Sequence, residues 1–407
     1  LTMDDEDEGP HEPGDDEAVR GQLLRIESEL LSTQEQLDDL LAHQTYLVNK
    51  KAELQKSLQR IESTQHLRGV DWAGPHPHDE AVEKLLKTVF KLTKFRTNQR
   101  EILNATLAGS DVFVIMPAGG GKSLLYQLPA LYSEGVTLVV SPLLSLIEDQ
   151  VNQLHAIGVN AAALTGDTPP EEVKSIQAAM EDPKSSLKLV YVTPEKVAKS
   201  KRFMSKLEKM HKAGRLARIA IDEAHCCSQW GHDFRPDYLK LGVLKQQFPD
   251  VPVLALTATA TVRVQVDVCS MLRILGCIRF QNSVNRPNLF YQVMPKKAQA
   301  GEVLSDIVSF IRENYAGGEA GIVYCFSRRE TEQVAEGLQA QGLKAAPYHA
   351  DMPPVQRSHV HQRWNSGAVQ VIVATVAFGM GINKADVRFV IHHSLSKSIE
   401  TYYQESR

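Results

Sequence analysis

The chain has 407 residues, 43% of them hydrophobic, and a formal charge of −4. That length leaves room for two or three domains, each with its own core. No apolar run is long enough to span a bilayer and no secretory signal pattern is visible, so the sequence predicts a soluble, intracellular protein with no membrane partner. The charge is unevenly placed. Residues 1–17 hold nine acids and no base; without them 40 acids face 45 bases, a balance of +5. A mildly basic body is compatible with nucleic acid without demanding it. Five cysteines, two of them adjacent (Cys226 and Cys227), show neither metal spacing nor an even disulfide set, which points to a reducing compartment.

In chain order, residues 1–18 read as a disordered acidic tail. Residues 19–65 carry a heptad pattern. Leu23, Leu30, Leu37 and Leu58 share one series with Gln44 and Lys51; Ile26, Thr33, Leu40, Leu47, Leu54 and Ile61 make the second. This predicts a coiled-coil helix that joins copies of the chain, with a helical hairpin as the alternative. Residues 66–79, with Gly, Pro and His, read as a linker. From residue 80, strands and helices alternate. Strands are expected at Val112–Met116, Thr137–Ser141, Leu187–Thr193, Arg218–Ile221 and Val253–Thr257, with amphipathic helices such as Leu143–Ala156 and Pro170–Met180 between them. That alternation predicts an α/β lobe on a parallel sheet over residues 80–277. Residues 278–300 read as a segment crossing between lobes. A second α/β lobe, 301–407, has strands expected at Gly321–Phe326, Lys344–Tyr348, Val369–Ala374 and Val387–His392.

Two stretches carry chemistry. Met116-Pro117-Ala118-Gly119-Gly120-Gly121-Lys122-Ser123 sits between an apolar strand and a helix. Backbone N–H groups freed of side chains can turn toward one anion there, and the helix N-terminus adds partial positive charge. Lys122 would reach the β- and γ-phosphates of a nucleotide, and the Ser123 hydroxyl would hold Mg²⁺. The strict pattern wants Gly at Met116, so the match is partial, and a glycine-rich tight turn is the bland alternative. About one hundred residues on, a strand ends in Asp222-Glu223-Ala224-His225. Asp222 would bind Mg²⁺ through its water shell, and Glu223 would orient and deprotonate the attacking water. Two solvated acids at a helix start are the alternative reading.

The motifs together resemble a superfamily 2 helicase with a DEAH box, and the residues between them resemble the RecQ DNA helicases. Phe95-Arg96-x-x-Gln99 is similar to that family's adenine-reading motif. Ser141-Pro142-Leu143-Leu144-Ser145-Leu146 and Thr193-Pro194-Glu195 resemble its DNA-backbone motifs. The segment from Cys226 to Tyr238, CCSQWGHDFRPDY, resembles its aromatic-rich loop. Thr257-Ala258-Thr259-Ala260, Tyr324-Cys325-Phe326-Ser327 and Ala374–His392 complete the set over residues 80 to 406. The resemblance implies two tandem RecA-like lobes and an ATP-dependent, 3′-to-5′ DNA helicase acting in the nucleus in repair, recombination or replication. It implies catalysis by Lys122, Asp222, Glu223 and His225. ATP would be bound by Lys94, Arg96, Gln99 and Met116 to Ser123, and Mg²⁺ by Ser123 and Asp222. Single-stranded and forked DNA would be sensed by Trp230, Phe234, Arg235, Thr257 and Thr259. Core packing is the alternative for the aromatics Trp230, Phe234 and Tyr238. Gly379 and Gly381 would let backbone approach a phosphate, and His392 and His393 read as satisfied packing residues.

Two departures are visible. Ala118 stands where the family usually has Thr. Gln404-Glu405-Ser406 is followed by Arg407, where the family continues with Gly and an arginine-finger segment, then a four-cysteine zinc site and a winged-helix domain. From this the 407 residues are expected to be a shortened product without the zinc site, binding nucleotide but turning it over slowly. An RNA helicase, and an inactive isoform acting by hetero-oligomerising, stay open as alternatives.

Overall fold

A computed structural model describes residues 13–64 and 69–406, apart from 232, 284, 376–377, 379–383 and 385; at 13–17, 52–54, 56–64 and 354 only the backbone is described. The chain divides into two units, Leu1–Gln65 and His66–Arg407.

The first unit is one helix, α1 (Pro13–Thr64), of 52 residues. At 1.5 Å per residue it runs roughly 78 Å. It starts at Pro13 rather than at residue 19, so residues 13–18 are not part of a disordered tail. Proline at the first turn is preset for helical φ, and acidic residues early in a helix suit the positive end of its macrodipole. Residues 1–12 of the expected tail fall outside the described residues. The helix is unbroken, which removes the hairpin alternative. Leu23, Ile26, Leu30, Leu37, Leu40 and Leu47 all stand exposed along it.

The second unit holds two parallel sheets. In the first, β1 (Val112–Ile115), β2 (Val136–Val140), β3 (Ala161–Leu164), β4 (Leu189–Val192), β5 (Leu216–Ile221), β6 (Val253–Thr257) and β7 (Ile278–Gln281) stand in the order β3-β4-β2-β5-β6-β1-β7. Around it lie α2 (Asp79–Thr88), α3 (Gln99–Leu107), α4 (Leu124–Tyr132), α5 (Leu144–Ala156), α6 (Pro170–Glu181), α7 (Pro194–Lys199), α8 (Lys201–Lys212), α9 (Gly242–Gln247) and α10 (Val262–Met271). In the second sheet, β8 (Ala320–Tyr324), β9 (Ala345–Tyr348), β10 (Val371–Ala374) and β11 (Val387–His392) stand as β11-β8-β10-β9, with α11 (Ala300–Asn314), α12 (Arg328–Ala340), α13 (Pro354–Asn365) and α14 (Ile399–Glu405).

The strands β1, β2, β4, β6, β8 and β10 are buried along their whole length, without alternation, because helices cover both faces. Phe113 and Ile115 enter one core of the first sheet, while Val112, Val114 and Met116 enter the other. Two stretches belong to the first lobe against expectation. Trp72, from the expected linker, packs on the second of these cores, and its carbonyl accepts a hydrogen bond from Asn104 at 2.9 Å. The strand β7, expected in the crossing segment 278–300, pairs in parallel with β1 and packs Ile278 and Phe280 on the same core. Ala161-Ala162-Ala163-Leu164, weak in β-propensity, is an unexpected strand on the edge beside β4.

Candidate nucleotide and nucleic-acid site

Neighbouring strands bring the chemistry together. β1 runs into the glycine loop, β5 into Asp222 and β6 into Thr259, and β6 lies between the other two. The acids and the glycine loop are therefore two strand spacings apart, roughly 10 Å, with Thr257 between them.

The glycine loop is tight. Gly120 N–H donates to the Pro117 carbonyl at 3.0 Å. A Cβ on Gly120 would fall 2.5 Å from Met116 Cγ, and Gly121 has φ +87°, so neither position takes a side chain without strain. Ser123 stands at the start of α4. Lys122 Nζ curls back onto the Met116 carbonyl at 3.1 Å and the Pro117 carbonyl at 3.5 Å. Ala118 is half-buried and Lys94 exposed. Gln99 is buried: its Oε1 accepts from Arg96 N–H at 2.8 Å, and its Nε2 reaches the Gly120 and Gly121 carbonyls at 3.3 and 3.2 Å. The Arg96 guanidinium donates to the Gly119 carbonyl. The pair expected to read adenine is thus bonded to the phosphate loop itself.

At the acidic strand end, Glu223 is held in the left-handed region, φ 48° and ψ 46°, where a non-glycine residue stores strain. Its N–H donates to Asp222 Oδ1 at 3.0 Å. His225 is fully buried, with Nδ1 at 2.9 Å from Thr257 Oγ1 and 3.3 Å from Glu223 Oε2. Thr257 donates its hydroxyl hydrogen to the Thr259 carbonyl at 3.0 Å, so Nδ1 must carry the proton in the first contact. His225 thereby ties Glu223 to the β6 turn, and Thr257, completely buried, is a relay of hydrogen bonds between these two elements.

Burial, followed by the neighbouring Glu223, raises the Asp222 carboxyl to about 6, with the Lys122 ammonium opposing. A buried carboxylate and the Ser123 hydroxyl are hard oxygen donors, which fits Mg²⁺. The folded-state value lies above the 3.8 of the free group. Ionising Asp222 without metal therefore costs stability, and the cost grows as pH rises from about 4 through 6. Asp222→Asn should stabilise the metal-free protein by about 1–3 kcal/mol at pH 7.5 and by roughly half of that at pH 5, read as melting temperature in EDTA. A variant that melts no higher than the parent at either pH would contradict this.

The aromatic loop divides between core and surface. Tyr238 is fully buried and donates its hydroxyl to the Asp222 carbonyl at 2.9 Å, so the packing alternative holds for it. Trp230 is 59% exposed and Phe234 half-buried. The three do not share a helical face, because Pro236 opens a separate 3-10 turn, Pro236–Leu241. Arg235 is held by Asp233 at 3.1 Å and by the Pro142 carbonyl at 2.7 Å. Thr259 is half-buried. Two contacts had no local signal: the Tyr238–Asp222 bond and the guanidinium of Arg263 over the Trp230 ring. Each joins residues whose separation matches no short-range period.

In the second lobe, His392 pairs with Glu405 at 3.0 Å and His393 with Glu330 at 2.7 Å, so both histidines have satisfied partners. Cys325, Glu330 and His393 bring ligand atoms within 4.8 Å of one another. Glu330 there already accepts hydrogen bonds from Phe326 N–H at 2.8 Å and Ser394 at 2.6 Å. Gly379, Gly381 and Arg407 lie outside the described residues. Among the described residues no helix is long and apolar enough to cross a membrane.

A phosphate loop and an acidic strand end on one parallel sheet, with a second parallel sheet in the same unit, are the arrangement of a two-lobed P-loop fold. The DEAD/DEAH box helicase family matches residues 96–268 and the helicase conserved C-terminal domain matches 301–407. ATP-dependent DNA helicase Q-like 2 of Arabidopsis thaliana is 54% identical over 398 residues, 96% of this chain and 56% of that protein. ATP-dependent DNA helicase Q1 of Rattus norvegicus is 48% identical over 398 residues, 96% of this chain and 64% of its own length. The chain thus spans between half and two thirds of these relatives. The DUF1998 helicase MrfA bound to DNA and AMPPNP shares the fold, with a TM-score of 0.64 at 17% identity, over 82% of this chain and 49% of that one. The chain belongs to the RecQ family of helicases.

Proposed function

We propose that the protein is an ATP-dependent DNA helicase that moves 3′ to 5′ on single-stranded DNA, opens forked duplexes, and serves repair, recombination or replication in the nucleus. One observation carries the coupling. The loop that presents Trp230 is bonded to the acid pair through Tyr238 and Asp222, and to the end of β2 through Arg235 and Pro142. The names of the relatives support DNA as the substrate.

The residues divide the work. Lys122 and the loop amides hold the phosphates, and Gln99 with Arg96 turns from the loop carbonyls to the adenine. Glu223 orients a water and takes its proton, while His225 keeps that carboxylate in place. Bound at Ser123 and Asp222, Mg²⁺ would supply charge neutralisation on the β- and γ-phosphate oxygens. Trp230 stacks on a base, and movement of its loop reaches Asp222 and Glu223 through Tyr238.

The test is ATP turnover with no nucleic acid, with single-stranded DNA and with single-stranded RNA. DNA should stimulate and RNA should not; equal stimulation would favour an RNA helicase. Trp230→Ala should leave basal turnover in place and raise the half-stimulating DNA concentration about tenfold, within the range of one lost base stack. A variant stimulated like the parent would reject the sensor.

The exposed stripe Leu23, Ile26, Leu30, Leu37, Leu40 and Leu47 supports a further reading, that α1 pairs with α1 of another copy as a coiled coil. Leu30→Asp with Leu40→Asp places charges in that seam and should lower the mass seen by light scattering to that of one chain. A parent that is already monomeric would end this reading.

A further inference from the structure

α10 starts immediately after the Thr257–Ala260 turn. The Thr261 side chain caps it by accepting from Val264 N–H at 3.4 Å, which places Arg263 in the first turn. From there the Arg263 guanidinium carbon lies 3.4 Å from the centre of the Trp230 ring, a stacking distance. Both partners are exposed, so core packing does not impose the contact. The guanidinium is planar and cationic, and it covers an indole whose π-face is the surface a nucleobase would use.

We propose that Arg263 is a specificity-determining residue of the nucleic-acid site: its guanidinium occupies the Trp230 ring and must be displaced by an incoming base, so it sets the DNA concentration at which the loop responds. The proposal rests on the reading of Trp230 as the DNA sensor. A base stack on an aromatic side chain outweighs an exposed cation–π contact. Arg263 is therefore a threshold and not a block: DNA displaces it, while weaker stackers do not. The contact also joins the aromatic loop to the helix that begins at the Thr257–Ala260 turn, so a base arriving at Trp230 releases both elements at once.

The experiment compares the full chain with Arg263→Ala, Arg263→Lys, Trp230→Ala and Trp230→Phe. Acrylamide quenching of tryptophan fluorescence reads the stack, and anisotropy of a labelled oligothymidylate reads DNA binding; neither needs turnover. Arg263→Ala should increase quenching, an increase that vanishes when Trp230 is Phe, and should bind the oligonucleotide about two- to fivefold more tightly. Arg263→Lys should fall between the parent and Arg263→Ala, because it keeps the charge and loses the planar stack. Parent-like quenching and binding in Arg263→Ala, while Trp230→Ala loses DNA affinity, would overturn the proposal and leave the sensor standing. Weaker binding in Arg263→Ala with a salt slope lower by about one would make Arg263 a phosphate contact and overturn it too. DNA binding by Trp230→Ala equal to the parent's would remove the sensor reading and this proposal with it.

Discussion

Glu223→Gln should leave nucleotide bound while turnover falls by about 10²–10⁴-fold, the usual worth of a positioned general base. Glutamine matches glutamate in shape, so the left-handed backbone at this position need not change. What it lacks is a lone pair basic enough to take the proton of an attacking water. His225 Nδ1 faces Glu223 Oε2 at 3.3 Å and holds the carboxylate in place. The variant separates two roles at one strand end, because Asp222 keeps its place and its Glu223 N–H bond. Nucleotide affinity comes from a fluorescent ATP analogue and turnover from phosphate release, measured with DNA present. Unchanged phosphate release in the variant would show that another group takes the proton.

Lys122→Ala should weaken ATP about 10–150-fold, the range for loss of one hydrogen bond to a charged group, and turnover at a fixed ATP concentration should fall at least as far. Lys122 Nζ rests on the Met116 carbonyl at 3.1 Å, inside the loop it would leave on meeting a phosphate. The exchange is favourable because a neutral carbonyl is replaced by an anion in a site of low dielectric. Adenosine, which has no phosphates, should bind the variant and the parent alike, since Gln99 and Arg96 are untouched. Equal loss for adenosine and ATP would mean that the substitution had collapsed the loop, and equal ATP affinity in variant and parent would remove Lys122 from phosphate binding.

Much of this was legible in local chemistry. The core strands β1, β2, β4, β5 and β6 appear as mostly apolar runs because a parallel sheet is buried on both faces. The glycine loop is legible because the steric reason for Gly120 and Gly121 is local, a Cβ against Met116 and a positive φ. The chemistry of Asp222 and Glu223 is legible because both acids follow one strand. The start of α1 was misplaced because acids that suit a helix N-terminus also suit a disordered tail, and composition alone does not separate the two. β3 and β7 were missed because each is a short edge strand whose stability comes from its single neighbour, β4 or β1.

Only the tertiary structure decided how the motifs meet. Strand order, a property of the whole sheet, places Thr257 between the acids and the phosphate loop. Burial, which no residue carries in its own name, raises Asp222 to about 6. The aromatics of one loop were indistinguishable in sequence, yet packing sent Tyr238 into the core to hold the Asp222 carbonyl and left Trp230 outside under Arg263. Residue types and their spacing thus determined which chemistry the chain carries. Contacts between distant segments, made when helices close over the sheet, decided which of those residues touch.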